Sequence, residues 1–119
     1  MDARDAYDRY ERAWNEPAAA EALLDEAWAE DGVYADDEVP DGVVGRAAFL
    51  ALITSTHEAN PGFRVWATSA PRMLAGRMAV TWAAEGGDST TALSGTDVIE
   101  FDAEGRIARV TDVLGAGPT

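Results

Sequence analysis

Three aspartates stand where an acid has reason to be more than surface charge. Asp97 lies in the run Gly95 to Phe101, and on a strand it faces the same side as Ile99 and Phe101. A carboxyl among apolar neighbours must find a partner, bind something or keep its proton, because an unpaired buried charge is very costly. The bland alternative is a hydrogen bond from Asp97 to a turn. Asp112 repeats the pattern, sharing parity with Val110 and Leu114, and its bland alternative is an ion pair with an arginine such as Arg77. If both acids face one cavity they repel, and one of them holds a proton near neutrality. Asp36 ends a short extended segment before a loop, from where a side chain can reach across a cavity mouth. Its neighbours Asp37, Glu38 and Asp41 equally suit a solvated acidic loop. Tyr10, on the apolar stripe of the first helix, offers a phenolic donor or a core residue with its hydroxyl at the edge. His57, near the end of the third helix, suits dipole capping, surface exposure or proton shuttling.

Other chemistries find little support. Cysteine is absent, which removes disulfides, thiolate catalysis and every cysteine-based metal site. With one histidine, a zinc site would rest mainly on carboxylates, against that ion's preference for nitrogen and sulfur, so no metal is expected. The formal charge of −13 disfavours nucleic acid or an anionic membrane as partner. The N-terminus has no apolar run of signal-peptide length and no segment approaches a membrane span, so the cytoplasm is the expected compartment. All nine basic residues are Arg and Ala is abundant, a bias that suggests a GC-rich bacterial genome.

These residues need elements to position them. Ala6, Tyr7, Tyr10, Ala13 and Trp14 recur at helical spacing. After Pro17 a second helix is expected, with Ala20, Leu23, Leu24, Ala27 and Trp28 as its stripe and Gly32 as its close. Val33 to Asp36 reads as a short extended piece, followed by a polar loop with Pro40 and Gly42. A third helix after Gly45 carries Phe49, Leu50 and Ile53 and ends at Asn60-Pro61-Gly62. From Phe63 the pattern changes to strands over 63–69, 73–74, 77–85, 89–101 and 106–114, an antiparallel meander separated by glycine-containing turns. Helices first and strands after predict a single α+β domain over 1–115, with 116–119 as a loose tail. Trp82 shares a face with Met78 and Val80 while Trp66 sits between Arg64 and Thr68, so apolar material is expected on both faces of the sheet. The face without helices then calls for a second copy in a two-fold homodimer.

The order of elements resembles the ketosteroid isomerase and SnoaL-like superfamily, of nuclear transport factor 2-like and cystatin-like fold, over nearly the whole chain. The resemblance is carried by Ala29-Glu30-Asp31-Gly32-Val33-Tyr34-Ala35-Asp36, by Gly45-Arg46-Ala47-Ala48-Phe49, and by the hairpin from Gly95 to Ile107 with its Asp97-Val98-Ile99-Glu100-Phe101 core. It implies a cone-shaped barrel of three helices on a curved antiparallel sheet. Asp36 matches the position of the family's general base, Asp97 that of a protonated acid in the oxyanion hole, and Tyr10 that of the oxyanion-hole tyrosine. Asp112 joins them as a second acid, and Trp28, Phe49, Ile53, Val110 and Leu114 are expected to wall the pocket. The implied protein is a cofactor-independent isomerase or cyclase for a hydrophobic small molecule. The alternatives are an epoxide-opening or ring-closing enzyme, and a non-catalytic ligand-binding or dimerisation module.

Overall fold

The structure, a computed structural model, is described here for residues 1–86 and 93–114. Helix α1 (Ala3–Asn15) starts where the Asp2 carboxylate accepts the Asp5 N–H at 2.8 Å, and it buries the whole stripe read from its spacing. Helix α2 (Ala20–Ala27) buries Ala20, Leu23, Leu24 and Ala27. Helix α3 (Arg46–Ala59) buries Phe49 and Ile53 and stops at Asn60. The strands are β1 (Trp28–Ala35), β2 (Val43–Val44), β3 (Arg64–Ala67), β4 (Arg72–Leu74), β5 (Arg77–Glu85), β6 (Leu93–Phe101) and β7 (Ile107–Leu114). The expected strand start over 89–92 and the tail over 116–119 lie outside the described residues.

Two expectations about the second helix fail together. Trp28 does not extend its stripe but opens β1, and Gly32 lies inside that strand rather than capping a helix. Gly32 is small for another reason: a Cβ there would collide with the Trp28 indole, which folds back over the strand. The polar loop also contains β2, paired antiparallel to β1 through Val33 with Val44 and Tyr34 with Val43.

The sheet order is β2-β1-β7-β6-β5-β3, with β4 also on β5. It is a mixed, open, curved sheet rather than an all-antiparallel one, because β1 runs parallel to β7. A parallel pair needs a long crossover, and here the chain between β1 and β7 includes α3 and the whole β3–β6 meander.

The core between helices and sheet is an aromatic stack. Trp28 and Phe49 lie 4.3 Å apart at 11°, Tyr10 stacks near both, and the edge of Trp14 meets Phe49 at 5.5 Å. Leu24, Ile53, Met78, Val80, Ile99, Ile107 and Val110 complete it. Among the described residues no helix is long and apolar enough to cross a membrane.

Candidate functional site

Beside this core the helices and sheet leave a cavity of about 410 Å³, within the range of small-molecule sites. Its floor is set by strand parity. Asp97 on β6 and Asp112 on β7 are direct register partners, and both point to the inner face with exposures of only 4% and 5%. Asp97 and Val80 on β5 are also in register, so the carboxyl pair continues a row of apolar core positions.

Asp112 is held from two sides. Its Oδ1 accepts the Trp82 indole N–H at 3.0 Å and its Oδ2 faces the Tyr34 hydroxyl at 3.1 Å. Trp82 stands two strands away, on β5, and reaches Asp112 by lying across β6 at Gly95. A Cβ on Gly95 would come within 2.7 Å of both the indole and the Val113 carbonyl. Gly95 is thus the gap through which the indole reaches the acid. Arg77, the partner considered for Asp112, pairs with Glu100 instead, at 3.6 Å.

Asp36 sits just past β1, half-buried, on the same side as Tyr34 two residues earlier. Its Oδ1 accepts the N–H groups of Glu38 and Val39 at 2.8 and 3.0 Å, which folds the loop around it, while its Oδ2 lies 3.0 Å from the Tyr34 hydroxyl. Tyr34 therefore stands between two carboxyls with one hydrogen to give. When it donates to one, the other can bond to the same oxygen only by supplying a proton itself.

Burial is the main reason that Asp97 holds its proton far above the usual carboxylate range. The Asp112 charge and hydrogen bonding act in the same direction, against weaker pulls from the Tyr10 hydroxyl and the Trp82 indole. Asp112 is pushed up to about 6, again chiefly by burial, with the Trp82 and Tyr34 hydrogen bonds opposing it. The Tyr10 and Tyr34 phenols are raised too, by burial and by the acids around them, and stay protonated as donors. Asp97 Oδ1 has no hydrogen-bond partner among the described residues.

All four side chains expected to do chemistry, Tyr10, Asp36, Asp97 and Asp112, line this one cavity, and so does Leu114. The other expected wall residues do not. Trp28, Phe49, Ile53 and Val110 are all at 0% exposure inside the aromatic stack, because their inward apolar faces are consumed by packing against one another. The wall is made instead by Tyr7, Trp14, Tyr34, Leu52, Phe63, Val65 and Trp82, with Glu11, Glu38, Glu85 and Asn60 among the polar groups. Tyr34 is the main residue that sequence reasoning missed; the signal was its i,i+2 spacing from Asp36. His57 is off the cavity: its Nε2 lies 2.6 Å from the Trp14 carbonyl and ties α3 to the end of α1. Among the described residues no group of three or more His, Asp or Glu is arranged to hold a metal ion.

This fold and site place the chain in a known class. Residues 7–110 match the family model of the SnoaL-like domain, and the chain belongs to that family, with a nuclear transport factor 2-like fold. A SnoaL-like family protein from Agrobacterium tumefaciens, described as a candidate isomerase, is 26% identical with a TM-score of 0.81 over 93% of this chain and 95% of that one. A candidate ketosteroid isomerase from Kribbella flavida is 23% identical with a TM-score of 0.73, over 98% and 80%. A candidate polyketide cyclase from Sinorhizobium meliloti is 20% identical with a TM-score of 0.73, over 91% and 93%. No curated protein matches the chain.

Proposed function

We propose that the protein is a cofactor-independent isomerase or cyclase that moves a proton next to a carbonyl of a small organic molecule. The observation that carries this reading is the convergence of Tyr10, Asp36, Asp97 and Asp112 on one cavity, with the buried Asp97 and Asp112 opposed in register. Asp36 is the base. Its Oδ1 is fixed by backbone N–H groups, and its Oδ2 is released to the substrate when the Tyr34 hydroxyl donates to Asp112 instead. Neutral Asp97 and Tyr10 donate hydrogen bonds to the enolate oxygen, so charge that develops on the substrate meets donors already in place. One carboxyl ionised as base and another kept neutral by an apolar site is the division of labour that ketosteroid isomerases use.

Asp36→Asn tests the assignment, since the amide keeps the Oδ1 that takes the Glu38 and Val39 N–H groups but cannot accept a proton. With a β,γ-unsaturated ketone, turnover and solvent deuterium exchange at the carbon next to the carbonyl should fall by roughly 10²–10⁴. Asp37→Asn and Asp41→Asn, which change the loop charge equally, should be nearly silent. Parental exchange in Asp36→Asn with a dead Asp112→Asn would move the base to Asp112. That outcome would favour the epoxide-opening or ring-closing reading, in which Asp97 protonates oxygen and Asp112 orients the nucleophile. The contact of Asp112 with both Trp82 and Tyr34 is what keeps this second reading in view. If none of these acids matters, the domain is a binding module.

The outer face of the sheet supports a homodimer. Across β5, β6 and β7 its rows Ala79-Val98-Thr111 and Thr81-Thr96-Val113 carry no charge, in a chain of net −13, with Arg72 of β4 at the edge beside Ala79 and Val113 55% exposed. The next row, Arg77-Glu100-Arg109, is a rim of alternating sign. A second copy meets little like-charge repulsion across these rows.

A further inference from the structure

The cavity is charged in one sense only. Six acids line it, the neutral Asp97 together with Glu11, Asp36, Glu38, Glu85 and Asp112, and none of the nine arginines nor the single histidine is among its described lining residues. Six aromatic side chains share the lining: Tyr7, Tyr10, Trp14, Tyr34, Phe63 and Trp82. Glu85 is paired with Arg64 at 2.8 Å, and the other acids have no ion pair among the described residues, so an anionic ligand would meet carboxylates without a counter-charge over most of the cavity. A wholly apolar one would strip water from the half-buried Glu11 and Asp36 carboxylates without offering them a partner, which costs binding energy. A ligand with a cationic head meets neither obstacle, because carboxylates attract it by charge and aromatic rings by their π faces.

We propose that the molecule this cavity takes carries a cationic nitrogen, an ammonium head on a compact, largely apolar body. The proposal rests on the reading of this cavity as the substrate site, and it narrows the substrate class to amines that also present an oxygen. The oxygen goes to Asp97 and Tyr10 at the buried end, and the ammonium lies among the remaining acids and the rings. Glu38 and Glu85 are solvent-exposed and Glu11 half-buried, so the acids extend from the buried end to the rim and favour a cation along the whole path.

Choline and its uncharged isostere 3,3-dimethylbutan-1-ol differ in charge and hardly in shape. Calorimetric titration of each into the wild-type protein at pH 7 and low salt should show choline bound at least about tenfold more tightly, the scale that cation–π and carboxylate attraction give in a partly desolvated site. Glu11→Gln with Glu38→Gln should shrink that preference several-fold with no matching loss of alcohol binding. Equal binding of the two isosteres, preference for the alcohol, or no choline binding up to tens of millimolar overturns the proposal. Because the measurement is of binding alone, a failure here leaves the proton-transfer reading to its own test, and an inert Asp36→Asn comparison would leave a choline preference standing.

Discussion

At the scale of single residues, Tyr34 decides how the acids communicate. It lies 3.0 Å from Asp36 and 3.1 Å from Asp112, and it has one proton for two carboxyls. A hydrogen bond given to an ionised carboxylate favours the charged form, and Tyr34 is one of the groups holding the Asp112 pKa down against burial. Tyr34→Phe keeps the ring and removes only that donor. The apparent pKa of Asp112 should then rise above its value of about 6, and any pH–rate limb governed by it should move upward in the same direction. A merely structural Tyr34 would change melting temperature and leave the limb where it was. The residue types of Asp97 and Asp112 were legible from parity alone, because an acid sharing a face with isoleucine, valine and leucine needs an explanation. The role of Tyr34 was hidden because a tyrosine in an apolar run reads as core, and its bond to Asp112 joins residues 78 positions apart.

At the scale of elements, the helices and the meander followed from local signals: stripes at three and four, glycine turns, and alternation along β5. The exceptions were places where a distant partner set the outcome. Trp28 continues the α2 stripe in sequence, yet pairing with Ile107 of β7 makes it a strand residue, and tertiary pairing outweighs a weak helical preference. The parallel direction of β1 against β7 is a property of the crossover and leaves no mark in local pattern. The pocket wall was misread for a related reason. Phe49, Ile53 and Val110 are apolar and inward, as wall residues are, but inward apolar residues fill core before they line space. What separates wall from core is register, and here register brings Gly95 beside Trp82 so that the indole can cross to Asp112.

At the scale of the molecule, an acidic chain has to place its few neutral surfaces and its acids with some economy. The uncharged rows of the outer face predict association: light scattering at micromolar concentration should give about twice the chain mass of 12.6 kDa. A monomer that persists as concentration is raised would remove the dimer. The acids turned inward carry the larger claim, that the fold keeps one carboxyl of the opposed pair neutral where an enolate oxygen would form. Carbon-detected NMR of the aspartate carboxyl groups across pH measures this most directly. Asp97 and Asp112 should titrate as a pair in two apparent steps, the lower near 6 and the upper well above the carboxylate range, with Asp97 carrying its proton at neutral pH. Both carboxyls ionising together near the ordinary value of about 4 would contradict the account.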